Sequence, residues 1–220
     1  MFLKRISLPE YEQLVQNSVP LASKGGRPGI LLTPSQLIVK HTYKRSLWSS
    51  STLWPYPRRF KRNAARLLAM GFTAPAVKEI FNFPVGECYL MVYQHLPGIT
   101  VRELSKQGQV AHLQKLPQFV ANLHHRGVYF RDLHTNNLLY QSHEQFALLD
   151  ITSVKFHRAS LNLHQRARNI VHLLRKQECR VALSGFGLLE FVKHYLNLTI
   201  LSPSQQQQFW HHLRRQITHL

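Results

Sequence analysis

The sequence predicts an α+β chain of two lobes, residues 1–94 and 99–220, hinged at 95–98. Three observations predict it. The first half alternates short β-rich runs with turn residues and carries a single stretch of helical periodicity. "HLPGIT", residues 95–100, then breaks the pattern. Beyond it the apolar residues recur at helical spacing almost to the end, apart from one pair of short strand-like runs set between helices.

The first lobe opens its strand pattern at "GILLT" after a turn at Gly25-Gly26, and "QLIVKHTY" follows a turn at Pro34-Ser35, which together read as a hairpin. In "YPRRFKRNAARLLAMGF" the residues Phe60, Ala64, Leu67, Leu68 and Gly71 share one helical face, and Arg59, Arg62, Asn63 and Arg66 the other; Pro75 closes this region. "AVKEIFNFP" and "ECYLMVYQHL" read as strands about a turn at Pro84-Val85-Gly86. In the second lobe, Leu113, Leu116, Val120 and Leu123 form a stripe, with the helix restarting at Pro117. "NNLLYQSHEQFALLDIT" reads as two short strands around a polar turn. Leu163, Ala167, Ile170, Val171 and Leu174 mark the inward face of the next helix, and "GLLEFVKHYL" is another. The last helix takes Ser202 as N-cap and Pro203 at its first position, with Phe209, Leu213 and Ile217 as its stripe.

Composition narrows the function. The 220 residues carry a formal net charge of +18, which draws the chain to anionic partners such as acidic head groups, phosphorylated glycans or nucleic acid. For nucleic acid, charge is the only support: no aromatic-basic RNA motif or recognition-helix signature accompanies it. Cys88 and Cys179 have neither CxxC nor metal-ligand spacing and read as free thiols of a reducing compartment. With no run resembling a signal peptide or a span of about 20 apolar residues, the chain is expected to be cytoplasmic, at most peripheral at a membrane. The doublets His124-His125 and His211-His212 read as solvated rather than metal-binding.

The chemistry concentrates in "GVYFRDLHTNNLLY". The chain has only two aspartates, Asp132 and Asp150, each next to a predicted strand, and Asn137 stands five residues after the first. Turn aspartates capping strand ends are the plain alternative. Taken together, two carboxylates and a carboxamide offer Mg²⁺ the hard oxygen ligands it takes alongside substrate phosphates, with one carboxylate left to receive a proton.

D-x-x-x-x-N, an apolar run, a turn, and a second apolar run ending in Asp resembles the catalytic core of protein-kinase-like phosphotransferases. "YFRDLHTNNLL" resembles their catalytic loop, "LLDIT" their metal-binding strand end, "LIVKHTY" the strand with the phosphate-binding lysine, and "YLMVYQHLPGITVREL" the last N-lobe strand, hinge and first C-lobe helix. Within that superfamily, "GFTAPAV", "LPGITVREL" and "LNLHQRARNIVHLLR" are most similar to the bacterial lipopolysaccharide kinases, which phosphorylate heptose or 3-deoxy-manno-octulosonic acid in the lipid A core. The resemblance implies a two-lobed kinase-like fold with a small, truncated C-lobe. It implies ATP and Mg²⁺ as cofactors, and a sugar or anionic glycolipid acceptor met at the inner membrane. Asp132 would be the base, Asn137 and Asp150 the metal ligands, and Lys40 with Gly25 and Gly26 the ATP-binding residues. Arg131 and His134 would stand near substrate.

The chain departs from the kinase pattern in four places. "KGGRPG" is a poor substitute for the G-x-G-x-x-G phosphate loop, since a lone glycine cluster is a turn more often than a phosphate cradle. Phe130 precedes Arg131 where many kinases have His, and Ile151-Thr152 follows Asp150 in place of Phe-Gly. No acid occurs between Tyr56 and Phe72, so Lys40 is expected to pair with a carboxylate elsewhere, Asp150 foremost. A pseudokinase, or a kinase acting on a protein or small-molecule acceptor, is the competing reading. Lys40 taken alone would be an edge-strand lysine.

Overall fold

The computed structural model describes residues 3–43, 56–142 and 145–217. The mixture of helices and sheets is α+β. The chain divides into two compact units, Met1–Leu96 and Pro97–Leu220.

The first unit is built on a six-stranded sheet. Its strands are β1 (Lys4–Arg5), β2 (Val19–Lys24), β3 (Arg27–Leu32), β4 (Leu37–Tyr43), β5 (Val77–Phe83) and β6 (Cys88–Gln94), in the spatial order β1-β5-β6-β4-β3-β2. All neighbours are antiparallel except β1 with β5. The turn from β2 to β3 holds Gly25 and Gly26 at φ +57° and +73°, a left-handed pair that favours glycine and suits a tight hairpin. Strand alternation sends residues to opposite faces. Val39, Leu90 and Val92 join Phe81, Phe83 and Ile6 in a cluster that helix α1 (Leu8–Val15) covers with Tyr11, stacked on Phe83 at 4.4 Å. Lys40 and Tyr93 take the other face, where Phe60 of helix α2 (Tyr56–Ala69) packs.

Helix α2 departs from the expected face assignment. Asn63 is fully buried beside Phe60, Ala64 and Leu67, whereas Leu68 is 41% exposed. Gly71 lies past the helix end at φ +78°, so the helix stops at Ala69 before Pro75 is reached.

In the second unit Thr100 of β7 (Ile99–Thr100) caps α3 (Val101–Lys106) in a reciprocal box with Glu103. A 3-10 turn, Val110–Lys115, leads into α4 (Leu116–His125), whose early proline sits where a missing N–H costs nothing. Four short strands follow: β8 (Val128–Phe130), β9 (Leu138–Tyr140), β10 (Phe146–Leu148) and β11 (Val154–Phe156). The polar turn between β9 and β10 includes residues 143–144, outside the described residues. Strand β9 pairs with β7 and β10, and β8 pairs with β11, all antiparallel. The chain closes with α5 (Leu163–Arg175), α6 (Gln177–Ser184), α7 (Leu188–Asn197) and α8 (Pro203–Arg214). Ser202 and Gln205 cap α8 reciprocally, and Phe209, Leu213 and Ile217 are buried as the stripe requires. Leu163, by contrast, is only half-buried at the first position of α5.

Candidate active site

Two antiparallel ladders of the second unit place the chemical residues. In one, Phe130 faces Val154; in the other, Leu138 faces Leu148. The loop joining β8 to β9 carries Arg131, Asp132, His134 and Asn137, and the loop joining β10 to β11 carries Asp150. Since β8 pairs with β11 and β9 with β10, the two loops leave the same ladder ends and must lie side by side. Hydrogen bonds join them: Leu149 N–H donates to the Asn137 carbonyl at 2.8 Å, and Asp132 N–H to Ser153 Oγ at 3.1 Å. Asn137 Nδ2 donates to the Asp132 carbonyl at 3.0 Å, which fixes its amide and leaves Oδ1 as the acceptor end. Asp150 holds a left-handed backbone at φ 44°, ψ 51°, a conformation Asp and Asn tolerate better than other side chains bearing a Cβ.

The loop is braced from beneath. Asn136 N–H donates to His134 Nδ1 at 3.1 Å, so Nε2 carries the ring proton and donates to Glu178 Oε1 of α6 at 2.9 Å. That hydrogen bond holds the Glu178 carboxyl below its usual range. Thr135 Oγ1 donates to Cys179 Sγ, and Arg102 N–H of α3 donates to the Thr135 carbonyl at 3.3 Å. In this clamp His134 is therefore buried with both ring nitrogens engaged, one of them by the exposed Glu178.

A second brace holds the strand leading to Asp132. His124, Asn169, Arg166 and Tyr195 are all buried. Asn169 Nδ2 donates to the Phe130 carbonyl at 2.6 Å, and its Oδ1 accepts from His124 Nε2 at 2.9 Å. Tyr195 OH then donates to His124 Nδ1 at 2.7 Å and accepts from Arg166 Nη1 at 3.3 Å. The order of donors follows from the amide, since only one of its ends can donate. Burial drives His124 down to about 3 and Tyr195 up to about 12, so both are neutral near pH 7. His124 is thus a core residue, contrary to the solvated expectation; His125 is exposed as expected. Gly127, which joins α4 to β8, has φ +73°, and a Cβ there would stand 2.6 Å from the carbonyl oxygens of His157 and Ala159.

The open side of the loop forms a pocket of about 290 Å³. Arg131, Asp132, His134, Asn137, His172 and Lys176 are among the residues that line it. Asp132 and Arg131 are exposed, and Asn137 is half-buried.

In the first unit, Lys40 occupies an interior strand between β3 and β6, not an edge. It is half-buried, paired in register with Met91, and its Nζ stands 5.6 Å from the Phe60 ring centre. An interior strand protects its position in a way an edge would not. Gly25 and Gly26 occupy the β2–β3 turn, where an added Cβ would meet open space.

The chemistry of the donor set fits Mg²⁺. A carboxylate on Asp150 and a carboxamide oxygen on Asn137 are hard ligands, few enough to require phosphate oxygens or water to complete the shell. Among the described residues, no group of three or more His, Cys, Asp or Glu could hold a metal by itself. Sequence reasoning missed Glu178, Ser153, His124 and Asn169. His124 lies four residues after Val120, and Asn169 four before Leu173, so polar residues set on apolar stripes were the available signal.

No protein-family model matches the chain, and no curated protein matches it. Among solved structures it is similar to WbdD. The co-crystal structure of WbdD with the kinase inhibitor LY294002 shares 15% identity at a TM-score of 0.48, covering 84% of this chain and 47% of that one. A second crystal structure of WbdD shares 13% identity at a TM-score of 0.44, with the same coverage of 84% and 47%. The chain spans about half the length of the WbdD chains it matches.

Proposed function

We propose that this protein is a Mg²⁺·ATP-dependent phosphotransferase with a two-lobed kinase-like fold that phosphorylates a sugar hydroxyl of the lipopolysaccharide core. The observation that carries the reading is the pair of bonded loops. They hold Asp132, Asn137 and Asp150 at neighbouring ladder ends, each carboxylate on its own loop. Asp132 is exposed beside a pocket and can accept the acceptor's hydroxyl proton. Asn137 and Asp150 would hold Mg²⁺, which when bound offsets charge on the phosphate oxygens. Lys40, with the Gly25-Gly26 turn, is assigned to the phosphates of ATP by the sequence resemblance. Most of the rate enhancement in such a site comes from positioning and charge neutralisation, with the base adding about 10²–10⁴-fold. The chain's charge of +18 suits an anionic glycolipid approached at the cytoplasmic face of the inner membrane.

One observation favours a second reading: helix α2 carries no carboxylate, so a lysine–glutamate pair of the usual kinase kind cannot form there. A pseudokinase would bind Mg²⁺·ATP without turnover. Calorimetric titration with Mg²⁺·ATP, followed by mass spectrometry of lipopolysaccharide from cells with and without the gene, separates the two. Loss of one phosphate from the core oligosaccharide supports the kinase. Nucleotide binding with an unchanged core mass leaves the pseudokinase or a different acceptor, and absence of nucleotide binding overturns both.

A further inference from the structure

We propose that Arg131, His172 and Lys176 form an anion subsite on the acceptor side of Asp132, so that the phosphorylated hydroxyl belongs to a molecule already bearing a phosphate or carboxylate. The proposal rests on the phosphotransfer reading for the role of Asp132. Its own basis is the composition of one pocket. The 290 Å³ pocket is walled by the Asp132 loop on one side and by the end of α5 on the other, and Asp132 is the only acidic residue in its lining. Against that single carboxylate stand Arg131, Lys176 and His172.

His172 senses the imbalance. It is half-buried, and its protonation is disfavoured by burial first and then by Arg168, Arg175 and Arg131; Asp132 alone opposes this. Of the other carboxylates near this loop, Glu178 is already bonded to His134 on the clamp, and Asp150 belongs to the neighbouring loop and does not line the pocket. Arg168 and His172 are also four residues apart on one helix, a spacing at which like charges repel. An arrangement that keeps cations together around a titratable ring has a use when an anion arrives. The incoming charge turns mutual repulsion into attraction and lets His172 bind a proton. The guanidinium of Arg131 can engage two oxygens of a phosphate or carboxylate, and Lys176 adds a mobile point charge. His172 and Lys176 also lie at the carbonyl end of α5, which favours positive charge. In reaction order, a step that installs a phosphate or acid group on the acceptor must come before this one.

The same oxyanion chemistry could come from the nucleotide, so the test has two arms. The ring resonances of His172 are followed by NMR in the full chain as inorganic phosphate is added, with and without a saturating non-hydrolysable Mg²⁺·ATP analogue. The expected result is a saturable shift with a rise in the His172 pKa, unaffected by the nucleotide. Lys176→Gln, an exposed substitution, should weaken phosphate binding by about tenfold, equivalent to about 1.4 kcal/mol. No saturable shift, or a shift that Lys176→Gln leaves unchanged, overturns the subsite. A shift abolished by the nucleotide analogue assigns the cations to the nucleotide's own phosphates and overturns the acceptor assignment. Failure of the wild-type chain to bind Mg²⁺·ATP is read separately: it overturns the phosphotransfer reading, and the acceptor assignment with it, even where phosphate still moves His172.

Discussion

Asp132 and Asp150 stand on loops of different geometry, and this separates their roles in the proposed reaction. Asp132 directs its backbone N–H to Ser153 and leaves an exposed carboxylate at the pocket, whereas Asp150 sits half-buried in a left-handed turn beside the Asn137 end of β9. Asp150→Asn is therefore expected to abolish Mg²⁺-dependent nucleotide binding. Asp132→Asn should retain it and lose turnover by about 10²–10⁴-fold. Calorimetry with Mg²⁺·ATP checks the first effect and single-turnover ADP release the second; equal, near wild-type binding by both variants would sink the metal assignment. The clamp gives a further expectation. Glu178→Gln keeps the shape but removes the charge that the His134 N–H meets, so kcat should fall by up to about tenfold with nucleotide affinity unchanged. At this scale the sequence was informative because aspartate is so scarce that its two occurrences stood out. What it could not supply was orientation. Nothing in "DLHTNN" tells that His134 turns under the loop toward a helix 44 residues away, since such a bond depends on tertiary placement alone.

The short ladders β8–β11 and β9–β10 have too few residues to hold the Asp132 and Asp150 loops alone, and the buried chain from Arg166 through Tyr195, His124 and Asn169 to the Phe130 carbonyl supplies the stiffness. Every link is directional, so removing one strands its neighbours in the core. Asn169→Leu should orphan both the Phe130 carbonyl and the His124 N–H, at about 1–3 kcal/mol for each group. Thermal unfolding should show the loss as a Tm several degrees lower, and an unchanged Tm would mean the chain is not structural. The elements that carry this network were legible where periodicity was strong: the α4 and α8 stripes follow their hydrophobic patterns, as does that of α5 beyond Leu163. Elements set by few residues were not. Helix α6 is short, with a charged first turn, and β8 and β11 have three residues each, so no period can show. In α2, Asn63 looked polar and outward; its burial reflects packing around Phe60 that no repeat encodes.

The molecule's histidines and its charge govern how the whole chain responds to solution conditions. His124 titrates at about 3 when folded against 6.5 ordinarily. Between those values the unfolded chain binds a proton that the folded chain refuses, so its contribution to stability is complete above about pH 6.5 and is lost as pH falls toward 3. His124→Gln should flatten the slope of denaturant midpoint against pH in that window, and an unaltered slope would refute the assignment. Charge makes the corresponding prediction for the proposed membrane-side acceptor. Among the described residues no helix is long and apolar enough to cross a membrane; the proposed bilayer contact is assigned to surface charge. Helix α2 exposes Arg58, Lys61, Arg62 and Arg66, and its sequence holds no acidic residue. Near an anionic leaflet each cation gains about 1 kcal/mol, so four amount to about 4 kcal/mol, or about a thousandfold in partitioning. That attraction reaches only as far as salt allows, about 10 Å at 0.1 M and about 3 Å at 1 M. Sedimentation with vesicles of mixed neutral and anionic lipid should therefore show binding at 0.1 M salt that disappears by 1 M and is absent with neutral lipid. Replacing all four cations by glutamine should abolish it at low salt, while the Mg²⁺·ATP titration shows that the variant still folds. Binding that survives 1 M salt, or that the quadruple variant retains, would place the attachment in apolar contacts or another surface rather than in the field of α2.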